Sequence, residues 1–230
     1  MTKSLPVAAL AACALVPSAH AYLRITEVMS SSGTGGTSDW FEVTNYGSSA
    51  IDMTGFRMDD NSFSFGASVL LNGISSIGAG ESVIFFENTA TTADIAAFSN
   101  FWGGLSGVQV GFYNGSGAGV SFSSGGDGAV VFNAAGTQVT QQAVFGAATT
   151  GFSFYFDMPP NNQGIVSSLG TLGSQVTFAS PGTVVNTGSL GTAVGIPAPG
   201  ALALLGVAGM VSGRRRRSRR CRSAGRSHRS

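Results

Sequence analysis

The sequence predicts an all-β sandwich carried between a segment for export and a basic, membrane-facing tail. Three observations point there. Short runs rich in β-branched and aromatic residues recur between clusters of Gly, Ser and Asn, and only 94–102 has helical character. Apolar runs beside basic residues stand at both ends of the chain. Between them the sequence holds neither cysteine nor histidine.

The first 21 residues read as a secretory signal peptide. Lys3 gives the positive start, 5–16 the apolar stretch, and Ala19-His20-Ala21 the small-x-small cleavage site, so the mature chain begins at Tyr22. Leu10-Ala11-Ala12-Cys13 offers a competing lipoprotein cleavage with acylation of Cys13. The apolar stretch ahead of Cys13 is short and contains Pro6, which favours cleavage after Ala21.

Strands are expected at 23–28, 40–45, 51–58, 82–87, 108–113, 129–133, 138–145, 152–156 and 175–178. In the first, Leu23, Ile25 and Glu27 alternate with Arg24, Thr26 and Val28. In the second, Phe41 and Val43 oppose Trp40, Glu42 and Thr44, so one face reads as core and the other as partly wet. Asn72-Gly73, Ala79-Gly80, Asn114-Gly115 and Gly126-Asp127-Gly128 mark turns. Residues 183–195 are small and polar, and read as a tether. No solenoid or propeller period is present.

The charges are divided by region. Nine of the twelve basic residues follow Gly213, and Lys3 lies in the export segment. The body, 22–195, keeps Arg24 and Arg57 against eleven acids, a net charge of −9. Such a body has no electrostatic footprint for nucleic acid. The arginine tail could bind it in isolation, but beside an apolar segment retention at a membrane face is the simpler reading.

Without His or Cys the body can form no Ser–His or Cys–His pair, no disulfide and no zinc shell of those residues. Carboxylates remain, and a pair could serve glycoside hydrolysis. Asp39 with Glu42, or Asp59 with Asp60, are the candidates for such a secreted hydrolase. Each has a simpler reading as a turn former or a wet strand face, so no catalytic residue is assigned. Asp59, Asp60, Asn61 and Asp127 offer loop oxygens to calcium, although turn formation explains them as well and no EF-hand spacing is present. Trp40 reads as core, whereas Trp102 beside Gly103-Gly104 is free to stack on a sugar.

Ile25-Thr26-Glu27-Val28, then Asp39-Trp40-Phe41-Glu42-Val43-Thr44-Asn45, then Ile51-Asp52-Met53-Thr54-Gly55-Phe56 resemble the opening of a lamin tail domain. Ser180-Pro181-Gly182 is similar to the way bacterial members end. Met53 and Phe56 stand where the pattern more often has Leu and Trp, swaps that preserve bulk. The resemblance implies an immunoglobulin-like β-sandwich over 22–186, with inserted loops in 64–124, and a tendency toward binding roles.

The C-terminus resembles a PEP-CTERM sorting signal of Gram-negative bacteria. Ile196-Pro197-Ala198-Pro199 stands for the Pro-Glu-Pro motif, an apolar segment follows, and Arg214, Arg215, Arg216 and Arg217 form the basic cluster. The resemblance implies processing by exosortase, a membrane-embedded cysteine protease, and delivery to a surface rich in exopolysaccharide. The prolines hold the chain extended before the helix. The fourteen residues 198–211 span roughly 21 Å as a helix, against a hydrocarbon core of about 30 Å. That suits a transient anchor, and the arginines hold the end in the cytoplasm. Ala198 replaces the usual Glu, and the chain runs on for seventeen residues from Arg214. The alternative is a plain single-pass anchor. The chain therefore divides into 1–21 (export), 22–186 (sandwich), 187–195 (tether), 196–220 (sorting) and 221–230 (basic tail). The expected role is a non-enzymatic surface or matrix protein without a required cofactor.

Overall fold

The computed structural model describes residues 22–33, 36–89, 91–115, 117–157, 162–167, 178–179 and 186–193. The export segment, Pro197, Pro199, the apolar run and the arginines lie outside the described residues, as does most of 175–178. Among the described residues no helix is long and apolar enough to cross a membrane.

The described chain is all-β with one short helix. Its strands are β1 (Leu23–Met29), β2 (Trp40–Asn45), β3 (Ile51–Asp52), β4 (Arg57–Asp59), β5 (Val69–Asn72), β6 (Ser76–Ile77) and β7 (Ser82–Glu87). Helix α1 (Thr92–Phe101) leads to β8 (Val110–Tyr113), β9 (Asp127–Phe132), β10 (Ala143–Phe145), β11 (Phe154–Tyr155), β12 (Ile165–Val166), β13 (Phe178–Ala179) and β14 (Thr187–Gly188). Ten strands form one sheet in the order β10-β9-β4-β5-β8-β7-β2-β1-β11-β12. Its ends meet, because Val144 N–H donates to the Asn162 carbonyl at 2.9 Å and Gly164 N–H donates to the Val144 carbonyl at 2.7 Å.

The sheet folds over a core in which Ile25, Val28, Phe41, Val43 and Phe85 meet Met58, Ala129, Val131 and Phe145 from the opposite layer. Phe41 packs on Phe85 and Tyr113, and Phe122 edges onto Phe41 and Phe145. A disulfide typically contributes about 2–4 kcal/mol, which one or two fully buried Phe or Leu side chains match. Apolar burial is thus enough to hold a body that contains no cysteine.

Two expectations are corrected. The run 51–58 is not one strand: Phe56 N–H bonds the Met53 carbonyl at 3.0 Å, and Gly55, at φ +75°, makes a turn between β3 and β4. The second face of β1 and β2 is not wet, since every residue of both strands is buried. The reason is β7–α1–β8, a parallel pair joined by a helical crossover, which lays α1 over the outer face. Thr91 caps α1 in a reciprocal box with Asp94. Phe98 stacks on Phe86, with Met29, Trp40, Ile84, Trp102 and Leu190 around them. Strands β5, β6, β12 and β14 were not anticipated. They are two to four residues long, too short for periodicity to reveal.

Candidate functional site

The most unusual chemistry in the fold begins with a bulge. Ile25 pairs with Val43, but Glu27 pairs with Glu42, so Thr26 is the extra residue. The shift turns Val28 into the core beside Phe41 and sends Glu27 to the outer face. The simple alternation, which put Glu27 with Leu23 and Ile25, is overturned at this point. Glu27 and Glu42 now stand directly opposite each other, both with 0% exposure.

Residues 186–192 form a strap over this pair. Thr187 pairs with Phe152 in a parallel bridge, and Leu190 is buried in the cluster with Trp40 and Trp102. Ser189 N–H donates to both Glu27 oxygens, at 2.8 and 3.0 Å, and its hydroxyl donates to Oε2 at 2.7 Å. The Ser153 hydroxyl also donates to Glu27 and touches that of Ser167. Glu42 accepts the Thr26 hydroxyl at 2.5 Å and Gly191 N–H at 2.6 Å. Thr26, Thr44 and Ser82 continue the hydroxyl chain. Gly188 permits the close approach: a Cβ there would meet Glu27 Oε1 and Leu190 Cδ1, each at 2.9 Å.

Burial pushes the Glu27 carboxyl up to about 7, against hydrogen bonds from Ser153 and Ser189 that pull it down. Glu42 rises well above the ordinary carboxylate range, by burial first and by the neighbouring Glu27 charge second. Adjacent buried carboxyls cannot both ionise cheaply, so the pair retains a proton near neutral pH. A raised carboxyl can act as a general acid only if substrate reaches it. Here the strap closes the pair off. A cleft of about 390 Å³ beside the strap is lined by Trp102, Leu105, Val108, Leu190 and Gly191, and neither glutamate is among its lining residues. The arrangement binds the strap to the sandwich.

The structure separates the first proposed catalytic pair. Asp39 lies at the end of β2, where its carbonyl accepts Glu87 N–H, while Glu42 is sealed under the strap. The proposed calcium residues are brought together in part. Asp127 Oδ1 accepts Asn61 N–H at 3.2 Å and Gly128 N–H at 2.8 Å, and its Oδ2 accepts Ser123 N–H at 2.6 Å. Asp59 accepts the Ser62 hydroxyl and Ser64 N–H, and Asp60 accepts Ser62 N–H. These contacts organise the loop.

Trp102 is corrected as well. It is 3% exposed and packs edge-on against Trp40 at 5.6 Å rather than presenting a surface ring. The strap itself was missed, since 187–195 read as tether. Its one available signal was Leu190, a large apolar residue among small polar ones.

A family model, the lamin tail domain, matches residues 16–145. The match covers more than half of the chain, begins inside the expected export segment and ends with β10. No curated protein matches the sequence.

Proposed function

Because this chain belongs to the lamin tail domain family, we propose that it is a non-enzymatic β-sandwich, exported and delivered by its C-terminal segment to the cell surface or extracellular matrix. There it serves as a structural or binding component among exopolysaccharides. The observation that carries the reading is the C-terminal sequence itself: Pro197 and Pro199, a short apolar run, then Arg214–217, on a chain whose other end reads as a signal peptide. In this reading exosortase is the processing partner, the span is transient, and nucleic acid is not a target of the acidic body. The absence of His and Cys from 22–195, and the use of Glu27 and Glu42 to hold the strap, favour binding over catalysis.

The test is the intact mass of the exported protein from cells with and without exosortase. A chain ending near Pro199 only when the protease is present supports sorting. A chain retained in the membrane through Ser230 in both leaves a plain anchor.

A further inference from the structure

The strap over 186–192 is held against the sandwich without belonging to its sheet. Its strand, β14, pairs with β13, and neither enters the ten-strand order. Gly33 N–H bonds Asn186 at 2.8 Å, Thr187 N–H bonds the Gly151 carbonyl at 2.7 Å, and Ser153 N–H bonds the Thr187 carbonyl at 3.0 Å. To these the strap adds Leu190 in its apolar cluster and the bonds to Glu27 and Glu42. Releasing it breaks no rung of the ten-strand ladder, and such local opening costs less than global unfolding.

The strap presses fixed donors on the pair, Ser189 N–H on both Glu27 oxygens and Gly191 N–H on Glu42 Oε2. Glu42 Oε1 meets the Thr26 hydroxyl instead, and the Thr26–Thr44 and Thr44–Ser82 contacts can each run in either direction. A hydroxyl accepts as well as donates. The chain can therefore turn to receive a proton from Oε1 while Oε2 keeps hold of the strap. The titratable groups on the surrounding elements do not displace that proton. Arg24, the one base on them, bonds the Tyr22 hydroxyl and the Asp157 carbonyl. Tyr46, just past β2, is pushed up to about 12 by burial first and then by the Glu42 charge. Tyr155 stands opposite Glu27 on β11, and Asp94 on α1 is bonded to Thr91. The facing positions of β7 (Ser82, Ile84 and Phe86), β12 and the strap carry no titratable side chain.

We propose that the strap is a pH-sensitive latch: a proton shared by Glu27 and Glu42 keeps it closed over the pair, and loss of that proton releases it while the sandwich stays folded. With the strap shut, a second negative charge stands against the first and neither reaches water. With the strap open, water solvates both carboxylates and weakens their repulsion. Above about pH 7 the closed form therefore holds one proton, on Glu42, that the open form does not. Rising pH then favours opening by about tenfold per unit. The latch belongs to the folded body and does not depend on the route of export.

Hydrogen exchange of the full-length protein across neutral pH, corrected for the intrinsic exchange rate, tests it. Protection of the Ser189 and Gly191 amides falls about tenfold per pH unit above about pH 7, and stays below that of the β2–β7 ladder. Glu42→Gln keeps an acceptor for Gly191 and offers its amide to the Thr26 hydroxyl, but cannot ionise, so the fall disappears. Leu190→Ala lowers strap protection at every pH and leaves the slope in place. Trp40 and Trp102, the two tryptophans of the chain, pack with Leu190. Their emission moves to the red as the strap opens, with circular dichroism unchanged. If Glu42→Gln loses the fold, circular dichroism reports it and the wild-type series still decides. Strap protection that ignores pH overturns the latch, as does a fall that survives in folded Glu42→Gln. So does protection equal to that of the ladder throughout, because the strap then opens only with the whole fold.

Discussion

Glu27 and Glu42 face each other across β1 and β2, and Asp39 and Glu87 meet across β2 and β7, one pair on the outer face and the other on the inner. The outer pair is surrounded by donors: two backbone N–H groups and three hydroxyls point at it. At the inner pair, Glu87 accepts the Ser121 hydroxyl at 2.7 Å, and the neighbouring tyrosine hydroxyl goes without a partner. Where the fold supplies donors, a buried acid is a structural clamp. At Asp39 the carboxyl is pushed up to about 7 by burial first and then by Glu87 and Asp127.

The largest test of this contrast is Glu27→Ala. It strands Ser189 N–H and two serine hydroxyls, and should cost about 3–5 kcal/mol in urea denaturation. Glu27→Gln, which keeps one acceptor oxygen, should cost clearly less. A loss below about 1 kcal/mol for the alanine would show that the clamp is not holding the strap.

Leu190→Ala probes the strap's apolar half, with an expected loss of about 3 kcal/mol. Tryptophan emission should shift to the red as water reaches Trp40 and Trp102; unchanged emission would mean the pocket closes over without Leu190.

The clamp also fixes how stability depends on pH. Glu27 and Asp39 have folded pKa values raised to about 7, from 4.5 and 3.8. The folded chain therefore holds more protons than the unfolded chain between those limits. Their contribution is fully present at acid pH and is lost as pH rises through about 7. Between pH 5 and 8 the fall should be on the order of 2 kcal/mol, mostly from the fully buried Glu27. Glu27→Gln should flatten it, and an unflattened slope would move the cause elsewhere.

The smallest effect is expected far from both pairs. Thr91→Ala removes the cap of α1 and should cost about 1 kcal/mol, with no change in the pH slope.

How much of this was legible depended on the length and regularity of each element. Trp40–Asn45 was readable from its alternation, and Ser82–Glu87 from an unbroken run of β-branched and aromatic residues. The turn at Gly55 was hidden inside a run that was apolar on both sides of it. The bulge at Thr26 left no mark in composition, yet it reverses the facing of Glu27 and Val28. The clamp joins residues 162 positions apart in sequence, and no local pattern reports such a contact. The loop around Asp59, Asp60, Asn61 and Asp127 was found because turn formers advertise themselves. Asp39 and Glu87 come together only through the pairing of β2 with β7.

The strap has a mechanical consequence. A tether over 187–195 would let the sandwich range up to about 30 Å from Ile196. With Leu190 buried and Gly191 bonded to Glu42, the strap holds the chain to Thr192, and three residues span at most about 10 Å before Ile196. In the proposed sorting route, a protease cutting beside Pro197 would have to work at the foot of the folded domain. The geometry of that approach, more than the length of free peptide, would then govern access to the bond.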